Sequence, residues 1–372
     1  MDDLEKTVAT PRRNPTQEMP PIELEMGQAF DFIESLLIYY DNDWEGLECT
    51  YEIGKDWFEH IRTSCSPEML AGLDSFTLQV PIVHGKLDSW YHLMGMVYDA
   101  PAPRDVSTFM AYLESLEPWE ILLNWLGYYQ RDLRRIIPLD VILQMVEQNK
   151  EAVDLFFRTV LPGEPNAQER IRSLIFSDGN AMKSRLISLL WDWYEQVIRP
   201  DEARIRPILE RDLEAKRKLQ TTVSPEKMVE LATNGLVYES EPGVRTIVLV
   251  PSFFGRPWNV SITHHDVKLI AYPVADESVR PDRSTPLQLV RIYQALGDER
   301  RLQILKMLKQ RSYSLQEFSE EFGVAKSTMH HHLGILRTAG LVRIRGDDRF
   351  YSLREETLPT ISTLLEDFLN NY

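Results

Sequence analysis

Residues 314–353 leave this chain the least freedom in what it can fold into. Ser314-Leu315-Gln316-Glu317 is a capping box in sequence: the serine oxygen can accept from an early backbone N–H, and the glutamate can reach back to the cap. The short helix it opens, over 315–322, runs into Gly323, the residue type expected where two helices meet at a tight turn. A second helix follows over 325–338. It sets Met329, Leu333 and Leu336 at i, i+4 and i+7 facing inward, and shows Lys326, Ser327, His330, His331 and Arg337 on its other face. Then 341–345 and 349–353 flank Gly346-Asp347-Asp348 as a two-stranded hairpin with arginines on and beside its tip. An amphipathic helix built on Leu296, Leu302, Ile304, Leu305 and Leu308, started by Asp298-Glu299, precedes the box, and one with Ile361, Leu364, Leu365 and Phe368 closes the chain.

Charge decides what such a module can meet. The whole chain of 372 residues carries a formal −16, which argues against a polyanion as partner. The excess is uneven, however: 286–372 holds twelve basic against eleven acidic residues, a net of +1, and the remainder carries −17. Distribution matters here more than the total. A helix that enters the major groove of DNA presents short polar or basic groups near its N-terminus, where the helix dipole also favours phosphate. Lys326, Ser327, Thr328, His330 and His331 supply the groove-facing set, and Arg337, Arg343, Arg345 and Arg349 the phosphate and wing contacts. His330-His331-His332 cannot converge on one metal ion, because consecutive helical residues point about 100° apart.

Two stretches carry a resemblance. Ala295-Leu296-Gly297-Asp298-Glu299-Arg300-Arg301-Leu302-Gln303-Ile304-Leu305 resembles the opening helices of the ArsR-type winged helix-turn-helix regulators. Lys326-Ser327-Thr328-Met329-His330-His331-His332-Leu333-Gly334-Ile335-Leu336-Arg337-Thr338-Ala339-Gly340-Leu341-Val342 resembles their recognition helix running into the first wing strand. The resemblance covers about a quarter of the chain. It implies a homodimer that binds a short inverted repeat in double-stranded DNA, commonly as a repressor released by a signal, with the module's first and last helices making the dimer. Two departures count. The stretch where metal-sensing members carry Cys-x-Cys reads Ser314-Leu315-Gln316-Glu317-Phe318, and 359–372 has no histidine, so metal sensing at either usual site is not expected. The family's common serine near the middle of the recognition helix is His330 here, which points to an unusual base preference.

The remaining three quarters are less specific. Residues 1–20, with Pro11, Pro15 and Pro20, read as a disordered tail, and 21–280 as a mainly helical region serving effector binding, dimerisation or both. Residues 27–40 place Phe30, Ile33 and Leu37 on one helix face; 183–198 do the same with Leu186, Leu190, Trp193 and Val197. Pro103, Pro138, Pro162, Pro200 and Pro207 fall at expected helix boundaries, Ser224-Pro225 at a helix start and Asn234-Gly235 at a stop. Short β-branched or aromatic runs at 236–239, 246–250, 258–262 and 268–274 predict a small antiparallel meander, and 275–285 a linker. The fold class expected is therefore mainly α with small β: a large helical N-terminal domain with a short antiparallel sheet, then a C-terminal winged helix-turn-helix.

Other features have plainer readings. The eight tryptophans, Trp90, Trp119, Trp125, Trp191 and Trp193 among them, read as core, with a ligand pocket as the alternative. The loop Pro251-Ser252-Phe253-Phe254-Gly255-Arg256-Pro257-Trp258 either gates a site or anchors the sheet to the helices, and anchoring is the plainer reading. The mixed charges of 204–218 read as a solvated helix face. His264-His265-Asp266 is most simply a polar turn, and Cys49 and Cys65 two reduced thiols. No nucleotide-binding, hydrolase or metalloprotease motif is present, so no catalytic residue, cofactor or metal is expected. No apolar run approaches a membrane span, and the acidic start lacks the order of a secretory signal, so the expected place is the cytoplasm. Three functions remain open at this level: an effector-responsive DNA-binding repressor; a constitutive DNA-binding protein whose N-terminal domain dimerises; and an enzyme or partner-binding protein that uses the winged helix for protein contacts.

Overall fold

The computed structural model describes residues 18–41, 47–82, 85–280, 287–345 and 350–370. The expected disordered tail falls almost wholly outside them. The chain is mainly helical with small sheets and ends in a helix-turn-helix with a β-hairpin wing, as the sequence reading had it.

At the centre of the large N-terminal region lies the helix Gln28–Tyr40, and it is more deeply placed than its pattern suggested. Not only Phe30, Ile33 and Leu37 but the residues of every face from Ala29 to Ile38 are buried, Asp31 and Glu34 included. A helix apolar nearly all round belongs inside a core rather than on it. It packs against Ser89–Asp99 and is closed over by Gly179–Trp193, whose Trp193 indole donates to Ser35 Oγ at 2.9 Å. Pro103, Pro138 and Pro162 do lie between helices. Pro200 and Pro207 do not: a π-helical turn, Tyr194–Ile198, carries the chain straight into Arg199–Gln220, where Pro200 sits in the first turn and Pro207 inside. Pro200 therefore lies where the pitch changes and not at an end.

The sheet corrects the meander. Strands β1 (Ile22–Leu24), β5 (Thr246–Ser252), β6 (Val260–His264) and β7 (Val267–Pro273) form one sheet in the order β1-β5-β7-β6. Only β6–β7 is antiparallel; β1–β5 and β5–β7 run parallel. The reason can be read in β5. Ile247-Val248-Leu249-Val250 is a continuous apolar run, the pattern of a parallel strand covered on both faces. Val248 and Val250 join the main core, while Ile247 and Leu249 pack with Met228 and Val229 of the helix Pro225–Ala232. A hairpin, β2 (Gln79–Ile82) and β3 (Gly85–Asp88), lies apart. The expected linker is only partly one: Asp276–Val279 is a helical turn with Asp276 and Ser278 buried, and 281–286 lie outside the described residues.

Asp31 and Glu34 make the first prediction. Both are fully buried; desolvation pushes Asp31 up to about 7, and desolvation with the neighbouring Asp31 charge pushes Glu34 to about 8. Asp31 Oδ1 accepts from the Phe253 and Phe254 amides at 2.8 and 3.2 Å, while its other oxygen has no hydrogen-bond partner among the described residues. The folded state therefore holds protons that the unfolded chain has already released, so stability falls as pH rises towards the folded values. Buried His92 is pushed down to about 4, and it acts only below the unfolded imidazole range. Buried Asp88, pushed up to about 7 by desolvation, shares the window of about pH 6.5 to 8, in which Asp31 and Glu34 together are expected to cost roughly 2 kcal/mol. Asp31→Asn and Glu34→Gln should each flatten the fall in melting temperature across that window; an unchanged slope would show that the pair is ionised throughout.

The C-terminal segment is built as its caps dictate. Asp298 accepts from Arg301 N and opens Glu299–Leu308; Ser314 and Glu317 form the reciprocal capping box of Leu315–Phe322. Gly323 ends that helix in the left-handed region at φ +62°, which glycine enters without a steric penalty. Met329, Leu333 and Leu336 are fully buried with Phe318, Ile292 and Tyr351 in a core of their own. Strands β8 (Val342–Arg345) and β9 (Phe350–Leu353) make the wing. Strand β4 (Leu236–Val237) is not part of the larger sheet. It pairs in parallel with β8, so β8 becomes the middle strand of a three-stranded sheet shared with the N-terminal region.

Candidate nucleic-acid interface

The helix Lys326–Thr338 has three longitudinal stripes, and each meets something different. Met329, Leu333 and Leu336 face the core. Thr328 and His331 are exposed on the far side, with Lys326 exposed and Ser327 half-buried at the helix N-terminus. Partial burial beside Arg301 pushes His331 below the ordinary imidazole value, so at neutral pH it is a neutral donor and acceptor. Ser327, Thr328 and His331 thus share an accessible polar side, and Lys326 is exposed at the positive end of the helix dipole; such groups can take up phosphate and base edges.

The third stripe is occupied. His330, Gly334 and Arg337 lie one or two turns apart on one flank, and Trp258 covers all three. Its indole stacks on the His330 imidazole, with centroids 4.9 Å apart and planes at 28°. The Arg337 guanidinium stands 5.1 Å from the indole centroid and is buried. Gly334 lies directly beneath the indole, where a Cβ would overlap its outer edge.

The wing arginines are divided in the same way. Arg345 is exposed, 3.9 Å from Glu239. Arg343 is half-buried and turned back onto Glu356 and, at 3.5 Å, Glu230. Arg349 lies outside the described residues. Of the nine sequence-assigned residues the structure leaves Lys326, Ser327, Thr328 and His331 accessible, sets Arg345 on the wing, and holds His330, Arg337 and Arg343 against other parts of the chain.

Sequence reasoning missed Trp258, Gly334 and Glu230. The aromatic loop does anchor the sheet: Asp31 holds its start, and Gly255 approaches Glu34 where no side chain fits. Nothing in the local pattern told that its far end reaches the helix-turn-helix. Beside it, Arg256 and Arg291 alternate with Glu52 and Asp276. Arg256 meets Glu52 at 2.7 Å and also Asp276; Arg291 meets them at 2.5 and 2.8 Å. These four charges line a cavity of about 80 Å³ between the N-terminal region and the helix Leu287–Leu296.

The expected polar turn at His264-His265 holds the one group of three metal-capable donors found among the described residues, with Asp99. Its geometry is that of a hydrogen bond: His264 Nε2 lies 2.7 Å from Asp99 Oδ2, closer than two ligands sit around one tetrahedral zinc, about 3.3 Å. His265 remains at 3.9 Å. None of the described helices is long and apolar enough to cross a membrane.

Comparison with known proteins falls on the same segment. The family model described as bacterial regulatory protein, arsR family, matches residues 298–343. An uncharacterised HTH-type transcriptional regulator of Methanocaldococcus jannaschii is 34% identical over 79 residues, 20% of this chain and 89% of that protein. The transcriptional repressor SdpR of Bacillus subtilis is 28% identical over 81 residues, 21% of this chain and 90% of its own. The transcriptional activator HlyU of Vibrio cholerae is 36% identical over 76 residues, 20% of this chain and 70% of its own. No solved structure matches.

Proposed function

The chain belongs to the arsR family of bacterial regulatory proteins, and from that premise we propose that this DNA-binding transcriptional regulator acts as a homodimeric repressor on an inverted repeat. The observation that carries the DNA contact is the accessibility of Lys326, Ser327, Thr328 and His331 at the N-terminus of the second helix of the motif. In this reading those side chains enter the major groove, His330 joins them there, and Arg337, Arg343, Arg345 and Arg349 hold the phosphates. Two functional units make up the chain, 21–280 and 286–372, the first tuning the second through an effector, the whole working in the cytoplasm. Dimerisation through the last helix is supported by Thr360–Asn370, none of whose residues is buried in the single chain and whose Leu369 is 61% exposed.

The test is fluorescence anisotropy of the purified protein on DNA from upstream of its own gene and on genomic fragments, across a salt series. Sequence-selective binding that weakens with salt is expected. Arg345→Ala should reduce the log–log salt slope by about 1, for the one phosphate contact removed, and Lys326→Ala should weaken binding to the selected sequence more than to unrelated DNA. Binding equal on all DNAs and indifferent to both substitutions would sink the reading and leave the winged helix as a protein-contact module.

A further inference from the structure

We infer that Trp258 is an intramolecular competitor of DNA: the arrangement seen here holds the recognition helix and the wing in a restrained form, and full engagement of DNA requires the loop that carries Trp258 to withdraw. This rests on the DNA-contact reading above and adds its regulation. Three independent features point the same way. First, the contact is fitted from both sides. Gly334 leaves the space that the indole fills, His330 and Arg337 bracket it, and Thr50 Oγ1 accepts from the indole Nε1 at 3.0 Å behind. A glycine in mid-helix costs about 1 kcal/mol against alanine, and close approach of Trp258 is what it allows here.

Second, the loop is braced at its root. The Phe253 and Phe254 amides are held by Asp31, Gly255 N donates to Ser252 Oγ at 3.0 Å, and Trp258 N donates to Gly255 O at 2.8 Å. Third, the wing is held by the chain just ahead. Ile344 N donates to Gly235 O at 2.9 Å, β4 takes the edge of β8, and Glu230 takes Arg343. Thus residues 230–258 engage both elements through which a winged helix meets DNA.

Size makes this a competition. A helix with its side chains is about 10–12 Å across, and the major groove about 12 Å wide. A helix seated in the groove has both flanks against its walls, with no room for an indole and its loop on the 330/334/337 flank. DNA and Trp258 therefore exclude one another on that flank, and the apparent affinity for DNA is reduced by the fraction of molecules in which Trp258 has left.

The experiment uses the full-length chain. Trp258→Ala is expected to bind the selected operator fragment about ten-fold more tightly than wild type, as it would if about a tenth of wild-type molecules are open. Gly334→Ala approaches the contact from the helix side, favours the helix, and should tighten binding in the same direction. A readout without DNA runs alongside: acylation of histidines by diethyl pyrocarbonate, followed by mass spectrometry. His330 should react more slowly than His331 in wild type and catch up with it in both variants. Unchanged or weaker DNA binding by both variants would overturn the competition. Equal reactivity of His330 and His331 in wild type would show that the contact is not closed in solution and overturn it as well. Protection of His330 with no DNA bound by any of the three proteins would instead fail the DNA reading, and the contact would then be plain docking.

Discussion

Arg256→Met is expected to destabilise the folded chain by about 3 kcal/mol, measured as a lowered midpoint in urea at unchanged slope. Removing one member of a buried ionic cluster costs roughly 3–5 kcal/mol, because the partner charge is left without compensation. Arg256 and Asp276 have side chains only 6% and 9% exposed, which puts them in that regime. Two facts argue for its lower end. Asp276 keeps Arg291 at 2.8 Å, and Glu52, 32% exposed, regains water. Arg256→Met with Asp276→Asn should recover much of the loss, since the charge that the first substitution strands is then gone. A single-variant cost below about 1 kcal/mol would place the cluster with solvated surface pairs. Because Arg291 belongs to the helix Leu287–Leu296, the same variant should also loosen the seat of the winged helix and raise hydrogen exchange there before it does so around Trp193.

The parts of the fold legible in the sequence are those whose information is local. The capping box at Ser314 and Glu317, the left-handed Gly323 and the 329/333/336 stripe are each fixed by residues within a turn or two of one another, and all three appear as expected. Charge distribution likewise separated 286–372 from the acidic remainder. What failed to be legible is long-range. The strand order β1-β5-β7-β6 joins residues more than 200 positions apart, and no period in the chain records that Ile22 will lie beside Ile247. The apolar run 247–250 does carry a signal for two-sided burial, which outweighs the turn signals on either side that predict a meander. The same holds at the interface. That Lys326, Ser327, Thr328 and His331 lie off the 329/333/336 stripe follows from the local pattern, whereas the partners of His330, Arg337 and Arg343 come from Trp258 and Glu230, which only the tertiary fold brings near. Gly334 was the local trace of that contact, a helix-weakening residue with no turn to make.

Phe318→Ala is expected to weaken DNA binding by unfolding the module that carries the recognition helix. Phe318 is fully buried at the centre of the winged-helix core and stacks on Tyr313 with centroids 5.0 Å apart. Truncating a buried phenylalanine costs about 3–5 kcal/mol, and a unit of some eighty residues has only about 4–12 kcal/mol to lose. The recognition helix leans on Phe318 through the same core as Met329 and Leu333, so DNA binding should fall with the folded fraction: a loss of about 5 from about 4 kcal/mol leaves roughly one molecule in six folded. The position of the tryptophans makes the outcome informative beyond this. All eight precede residue 259, so tryptophan emission, apart from that of Trp258 against the recognition helix, reports on the N-terminal region while far-ultraviolet circular dichroism reports on both. If 286–372 is a separate unit, helical signal should be lost at a temperature where the emission of Trp90, Trp125 and Trp193 is still that of a buried indole. If both signals fall together in one transition at a lower midpoint, the proposed boundary at 286 is wrong as a folding boundary. The Trp258 contact, the β4–β8 pairing and the Arg256–Arg291 cluster would then weld the two parts into one cooperative structure. In that case release of the helix from Trp258 would have to be a local opening, and Trp258→Ala should lower the common midpoint; with separate units it should leave the N-terminal transition where it was.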